Sequence, residues 1–176
     1  MYSKVKIGGH PIHPMLVAFP IAFYTTTLLA FVIYQYFNPD IFWYKLAYFC
    51  NFAGVFTALF AAVPGFMDWA VGIPKSSAAK KRGFLHMLLN VGALTLFAIN
   101  AFLIYGTWDR PLTDVTTAWV LSLMGVGLTM VAGFHGWALI AVHKVGVTLT
   151  PQQEILEPTG KMDRHQHEVD IHSRSA

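Results

Sequence analysis

The sequence predicts an all-α fold, an integral membrane four-helix bundle. Three observations carry this: four long apolar stretches, a low charge content, and an unequal division of basic residues among the connecting segments. Of 176 residues, 55% are hydrophobic and 12% charged, against roughly a quarter charged in ordinary soluble domains. With a mean hydropathy of +0.50, the chain has more apolar surface than one water-soluble core can hide. The expected organisation is one transmembrane domain, 1–148, followed by a cytoplasmic tail, 149–176.

The expected spans are 14–37, 46–69, 83–106 and 117–142. At about 1.5 Å of rise per residue, some twenty apolar residues cross a hydrocarbon core about 30 Å thick, and each stretch is long enough. The first is too long for the apolar part of a cleaved signal peptide, and no small-residue cleavage site precedes the polar segment at 35–40. Pro14 fits the first helical position, with His13 as its cap. Pro20 and Pro64 each remove a ladder hydrogen bond, so a bend is expected near each. Small residues punctuate the second span (Gly54, Ala58, Ala61, Ala62, Gly65) and the fourth (Gly125, Gly127, Gly133, Gly136). Small side chains let backbones approach within lipid, so these two helices are expected to pack closest. Trp43, Tyr44, Trp69, Trp108 and Trp119 lie near span ends, where amphipathic rings anchor to headgroups.

Ten of the twelve Lys and Arg residues fall in alternate segments: Lys4 and Lys6; Lys75, Lys80, Lys81 and Arg82; Lys144, Lys161, Arg164 and Arg174. Only Lys45 and Arg110 fall in the other two links. Basic short loops are retained in the cytoplasm, which predicts a multi-pass protein of the bacterial inner membrane with both termini cytoplasmic. The basic residues flank apolar runs and form no stripe with exposed aromatics, so the expected partner is the lipid bilayer, not nucleic acid. The one cysteine, Cys50, forms no intrachain disulfide and offers no thiolate cage. Thr150, Pro151 and Gln153 form a helix-start signature, predicting a short interfacial helix at 150–157 before a polar tail. His165, His167 and His172 in that tail match no recognised metal-ligand spacing.

The residues most open to a chemical role are polar groups at the cytoplasmic side of the spans: His13, Asp68, His86, Asn90 and His135. Intramembrane polar groups are costly unless paired or facing a cavity, so they mark sites. His135 lies about 10 Å inside its boundary by helix rise, with Gly133 and Gly136 clearing room for another helix or a planar cofactor. His86 and Asn90 share a helix face through their i, i+4 spacing. A haem b needs two axial imidazoles on facing helices, and His86 with His135 is the pair that could supply them, with His13 able to replace either if the first span begins deeper. Otherwise His135 is a neutral histidine bonded across the bundle, to Asn90 or Asp68.

The stretch 9–20, GHPIHPMLVAFP, resembles the opening of a bacterial membrane family known as domain of unknown function 2231. That family's G-x-P-x-H-P-hydrophobic-P pattern is matched by Gly9, Pro11, His13, Pro14 and Pro20. The resemblance continues in GFMDW at 65–69, in His86 and Asn90, and in the closing HKVGV at 143–147. It implies a four-helix membrane protein with no established activity, and some members carry Rieske-type domains, which implies electron transfer. The fourth helix departs from the pattern: the family's G-G-x-L, sometimes with histidine at x, would place that residue at Ala138, whereas the histidine here is His135.

Two functions follow as expectations. One is a small membrane redox protein carrying haem b between His86 and His135, serving other redox subunits. The other is a structural or accessory membrane subunit whose layer of His13, Asp68, His86 and Asn90 ties helix ends together and recruits a partner. A metal or proton conduit through the same layer is a third. Nothing resembles a hydrolase or transferase: there is no serine or cysteine nucleophile arrangement and no phosphate-cradling glycine loop.

Overall fold

The computed structural model describes residues 5–147, and the short helix and polar tail expected after them lie outside the described residues. The chain enters through a minimal antiparallel ribbon, β1 (Lys6–Ile7) and β2 (His10–Pro11). Gly8 and Gly9 close it with positive φ values of 56° and 85°, a two-residue turn that glycines enter without strain.

Five helices follow, four of them long and apolar enough to cross a membrane once α1 and α2 are joined. These are α1 (Ile12–Leu16), α2 (Ala18–Tyr36), α3 (Ile41–Met67), α4 (Ala78–Ile104) and α5 (Thr116–Ala141). A π-helical turn, Asp68–Gly72, extends α3. The break between α1 and α2 falls at Val17, three residues before Pro20, whose missing N–H is tolerated in the first turn of α2. Pro64 lies inside α3, and the wide turn begins four residues beyond it. His13 is not a cap. It lies within α1, where Pro11 holds the cap position, and its ring turns inward.

Two helices start earlier than hydropathy suggests because polar side chains cap them. Asp40 Oδ1 accepts the Phe42 N–H at 2.8 Å, and Ser77 Oγ accepts the Lys80 N–H at 3.2 Å. Lys80, Lys81 and Arg82 therefore ride on the first turn of α4.

The helices form a closed ring in the order α2, α3, α4, α5, with α2 against α3 and α4 against α5 as the most extensive pairs. Between 22% and 28% of each span is buried, so most of every helix faces outward, and the large side chains exposed there are chiefly Phe, Leu, Ile, Val and Met. At the end away from the ribbon, the core gathers Ala30, Phe31, Tyr34, Tyr44, Ala47, Ile104, Val115 and Ala118. Tyr44 belongs to this core and not to a headgroup belt; it is fully buried and its hydroxyl pairs with Thr107. Trp69, also expected as an anchor, joins the π turn to α4: its Nε1 donates to Lys80 O at 3.1 Å, and Lys80 Nζ sits 4.1 Å from its ring centre and donates to Trp69 O.

The second and fourth spans do not pack closest. They are α3 and α5, diagonal in the ring, and their glycines receive aromatic rings from adjacent helices. Gly54 lies against Tyr24, Gly65 against His13, Gly125 against Phe97 and Gly136 against His86. At these four positions the space cleared by the missing Cβ is filled by a ring from the adjacent helix, whereas Gly127 and Gly133 have nothing within 4 Å.

Candidate functional site

Two histidines meet at the end of the bundle nearest the ribbon, each held by the same device. His13 Nδ1 lies 2.8 Å from the carbonyl oxygen of Ala61 on α3. His86 Nδ1 lies 2.7 Å from the carbonyl oxygen of Ala132 on α5. A carbonyl can only accept, so Nδ1 carries the proton on each neutral ring and Nε2 is left with a lone pair. The ring centres stand 6.2 Å apart with planes at 88°.

Asn90, one turn beyond His86, donates to the His86 carbonyl at 2.8 Å. Its Nδ2 lies 3.2 Å from His86 Nε2 and 3.5 Å from His86 Nδ1. Near-equal distances to both ring nitrogens put the amide over the face of the imidazole, not in its plane. The buried Nδ1 of His135 has no hydrogen-bond partner among the described residues. Asp68 Oδ1 accepts the Val5 N–H at 3.2 Å, fastening the leading segment to the end of α3. The layer thus brings His13, His86 and Asn90 together, while Asp68 serves the chain entry.

A haem between His86 and His135 needs a porphyrin-wide gap between α4 and α5. Here the His86 ring lies so close to α5 that a Cβ at Gly136 would stand 2.9 Å from its Cε1. The two helices are in contact at this level, and the residues as arranged do not fit that group.

Sequence reasoning missed a second polar centre, midway along the bundle. Asn51, Asn100 and Ser122 are fully buried. Asn100 Nδ2 lies 3.1 Å from both Asn51 Oδ1 and Ser122 Oγ, and Asn51 Nδ2 donates to Phe97 O at 3.1 Å. Amides inside apolar spans are the available signal, since a polar side chain in lipid must find a partner on another helix. Beside them Tyr24 stacks on Phe97 at 3.7 Å and 2°, between Gly54 and Gly125.

These features occur in pairs, at one offset for the first helix of each hairpin and another for the second. His13, Pro20, Tyr24, Thr27 and Phe31 correspond to His86, Ala93, Phe97, Asn100 and Ile104, 73 residues on. Asn51, Gly54, Ala61 and Gly65 correspond to Ser122, Gly125, Ala132 and Gly136, 71 residues on. The first and second hairpins of the bundle therefore make the same ring-on-glycine contacts and the same histidine-to-carbonyl bond.

No curated protein and no solved structure matches the chain. A family model described as predicted membrane protein (DUF2231) matches residues 9–149, a stretch that takes in the histidine pair, the buried amides and all four spans. With four apolar helices of spanning length inside that match, the chain belongs to the DUF2231 family of multi-pass membrane proteins.

Proposed function

We propose that the protein is a non-catalytic subunit of the bacterial inner membrane, with both termini in the cytoplasm. In this reading the histidine layer holds the helix ends in place beneath a basic face. The observation that carries it is the pair of matching bonds from His13 to Ala61 and from His86 to Ala132. Each uses one imidazole nitrogen to fasten the first helix of a hairpin to the second, as a joint does. Lys81 and Arg82 lie at the adjacent start of α4, where anionic headgroups or an acidic partner subunit would be held at about 1 kcal/mol per basic residue.

An absorption spectrum of detergent-purified protein, expressed with ample haem and recorded with and without dithionite, tests this directly. A spectrum without haem bands is expected. His86→Ala should lower the unfolding temperature, and His135→Ala should change it little. A red protein bleached by both substitutions would overturn the joint reading in favour of haem b. Reporter activity behind Ala176 only in the periplasm would overturn the orientation.

A further inference from the structure

We propose that His13 and His86 form a two-coordinate site for a single copper(I) ion, lying between the two matching hairpins. The inference goes beyond the joint reading, because it concerns the nitrogen that the joints leave over. Each Nδ1 is committed to a carbonyl of its own hairpin, and the two rings meet edge-on at right angles across the join. Asn90 sits over the His86 face, so its amide does not occupy the in-plane lone pair of Nε2. His13 Nε2 has no hydrogen-bond partner among the described residues. A histidine that donates one N–H to a backbone carbonyl and offers the other nitrogen is the usual posture of a metal ligand.

Spacing and charge narrow the ion. A metal–nitrogen bond of about 2.0 Å on each side, added to the two ring radii, spans roughly 6 Å between ring centres; the observed separation is 6.2 Å. Perpendicular rings suit this, because linear coordination leaves rotation about the nitrogen–metal–nitrogen axis free. No set of three or more His, Cys, Asp or Glu side chains among the described residues is placed to share a metal. Zinc, which takes four ligands, is therefore poorly served. Copper(I), with a closed shell, accepts two. Both donors are neutral, and a low-dielectric site with no carboxylate among the described residues placed to share the ion disfavours a divalent ion far more than a monovalent one. The bundle supplies the site twice over, in the sense that each hairpin contributes one equivalent ligand at the same depth. A closed-shell ion gives no visible band, so the haem experiment does not decide this proposal.

The test uses the full chain with His165, His167 and His172 replaced by alanine, which removes the tail imidazoles, and purified through a histidine-free tag. Tetrakis(acetonitrile)copper(I) is added without oxygen, excess is removed by desalting, and retained copper is measured with bicinchoninate. One copper per chain is expected, with an absorption-edge spectrum of two nitrogen neighbours. His13→Ala and His86→Ala, each checked for helicity and monodispersity, should each weaken retention at least tenfold, while His135→Ala retains one copper. Absence of retained copper in the parent chain, or retention undiminished in folded His13→Ala or His86→Ala, overturns the site. Should an alanine variant aggregate, the parent's edge spectrum decides: two nitrogens support the site, and three or more ligands overturn it.

Discussion

At the scale of single residues, the glycines of α5 are not equivalent, and the difference is set by what each one faces. A Cβ at Gly136 would meet His86 Cε1 at 2.9 Å, whereas one at Gly133 meets nothing within 4 Å. The His86 ring cannot yield cheaply, because its Nδ1 is bonded to Ala132 O on the same helix. Gly136→Ala should therefore destabilise the protein by about 1–3 kcal/mol, the usual cost of overpacking, and Gly133→Ala should stay within about 0.5 kcal/mol. Thermal unfolding in detergent, followed by circular dichroism, separates the two; equal effects would show that His86 does not rest on Gly136. Asparagines divide in the same way. Asn100 bonds across helices to Asn51 and Ser122, while the shortest bond of Asn90 returns to its own helix at His86 O. Asn100→Ala should cost about 1–2 kcal/mol, near the upper end for polar bonds within membranes, and Asn90→Ala less.

At the scale of elements, helix starts are governed by caps that hydropathy does not register. Spans were expected from 46 and 83, whereas α3 starts at Ile41 and α4 at Ala78. A search for apolar runs discards first turns that carry Lys45 or Lys80, Lys81 and Arg82, yet Asp40 and Ser77 are the residue types that begin helices. Those starts were legible in the sequence from cap chemistry, as was the Gly8–Gly9 turn; the π turn at Asp68–Gly72 left no comparable pattern. At the start of α5, Asp114 Oδ1 accepts the Thr116 N–H at 2.8 Å. Hydrogen bonds from the Thr116 side chain and backbone hold the Asp114 carboxyl below its ordinary value of 3.8. Since the folded value is depressed, this contact adds stability above the unfolded carboxylate range and loses it as pH falls through the folded value. Amide exchange in the first turn of α5 should therefore quicken, relative to the intrinsic rate, as pH is lowered below about 4. Asp114→Asn should flatten that dependence. An identical pH profile in the variant would exclude the cap as its source.

At the scale of the whole molecule, the paired positions, 73 residues apart in the first helix of each hairpin and 71 in the second, make the bundle two copies of one hairpin. Its sequence trace is short: Gly-Val, five residues, Ala, three residues, Gly, at 54–65 and again at 125–136. Comparing the chain with itself would have exposed it. The remaining positions vary freely among apolar types, because lipid asks only that they be greasy, and this is why the repeat hides behind uniform hydropathy. It also explains why the small residues pointed to the wrong helix pair: they mark where rings dock, and composition does not say from which neighbour. Each hairpin closes its own ring-on-glycine contacts at His13–Gly65 and His86–Gly136. The two are joined through the Tyr24–Phe97 stack, the Asn51 bonds to Phe97 O and Asn100, and the shared core of Phe31, Tyr34 and Tyr44 with Ile104, Val115 and Ala118. Helices within a bilayer are stable before they associate, so the peptide link after Pro74 should be dispensable. Fragments 1–74 and 75–176, expressed together, are expected to insert separately and purify as an equimolar pair from mild detergent. Replacing Tyr24 and Phe97 together by alanine removes an aromatic pair worth about 0.5–1.5 kcal/mol beyond its buried area, and should weaken co-purification while both fragments remain in the membrane fraction. Inserted fragments that never associate would mean that the covalent link holds the halves together, and the two-hairpin account of the fold would fail.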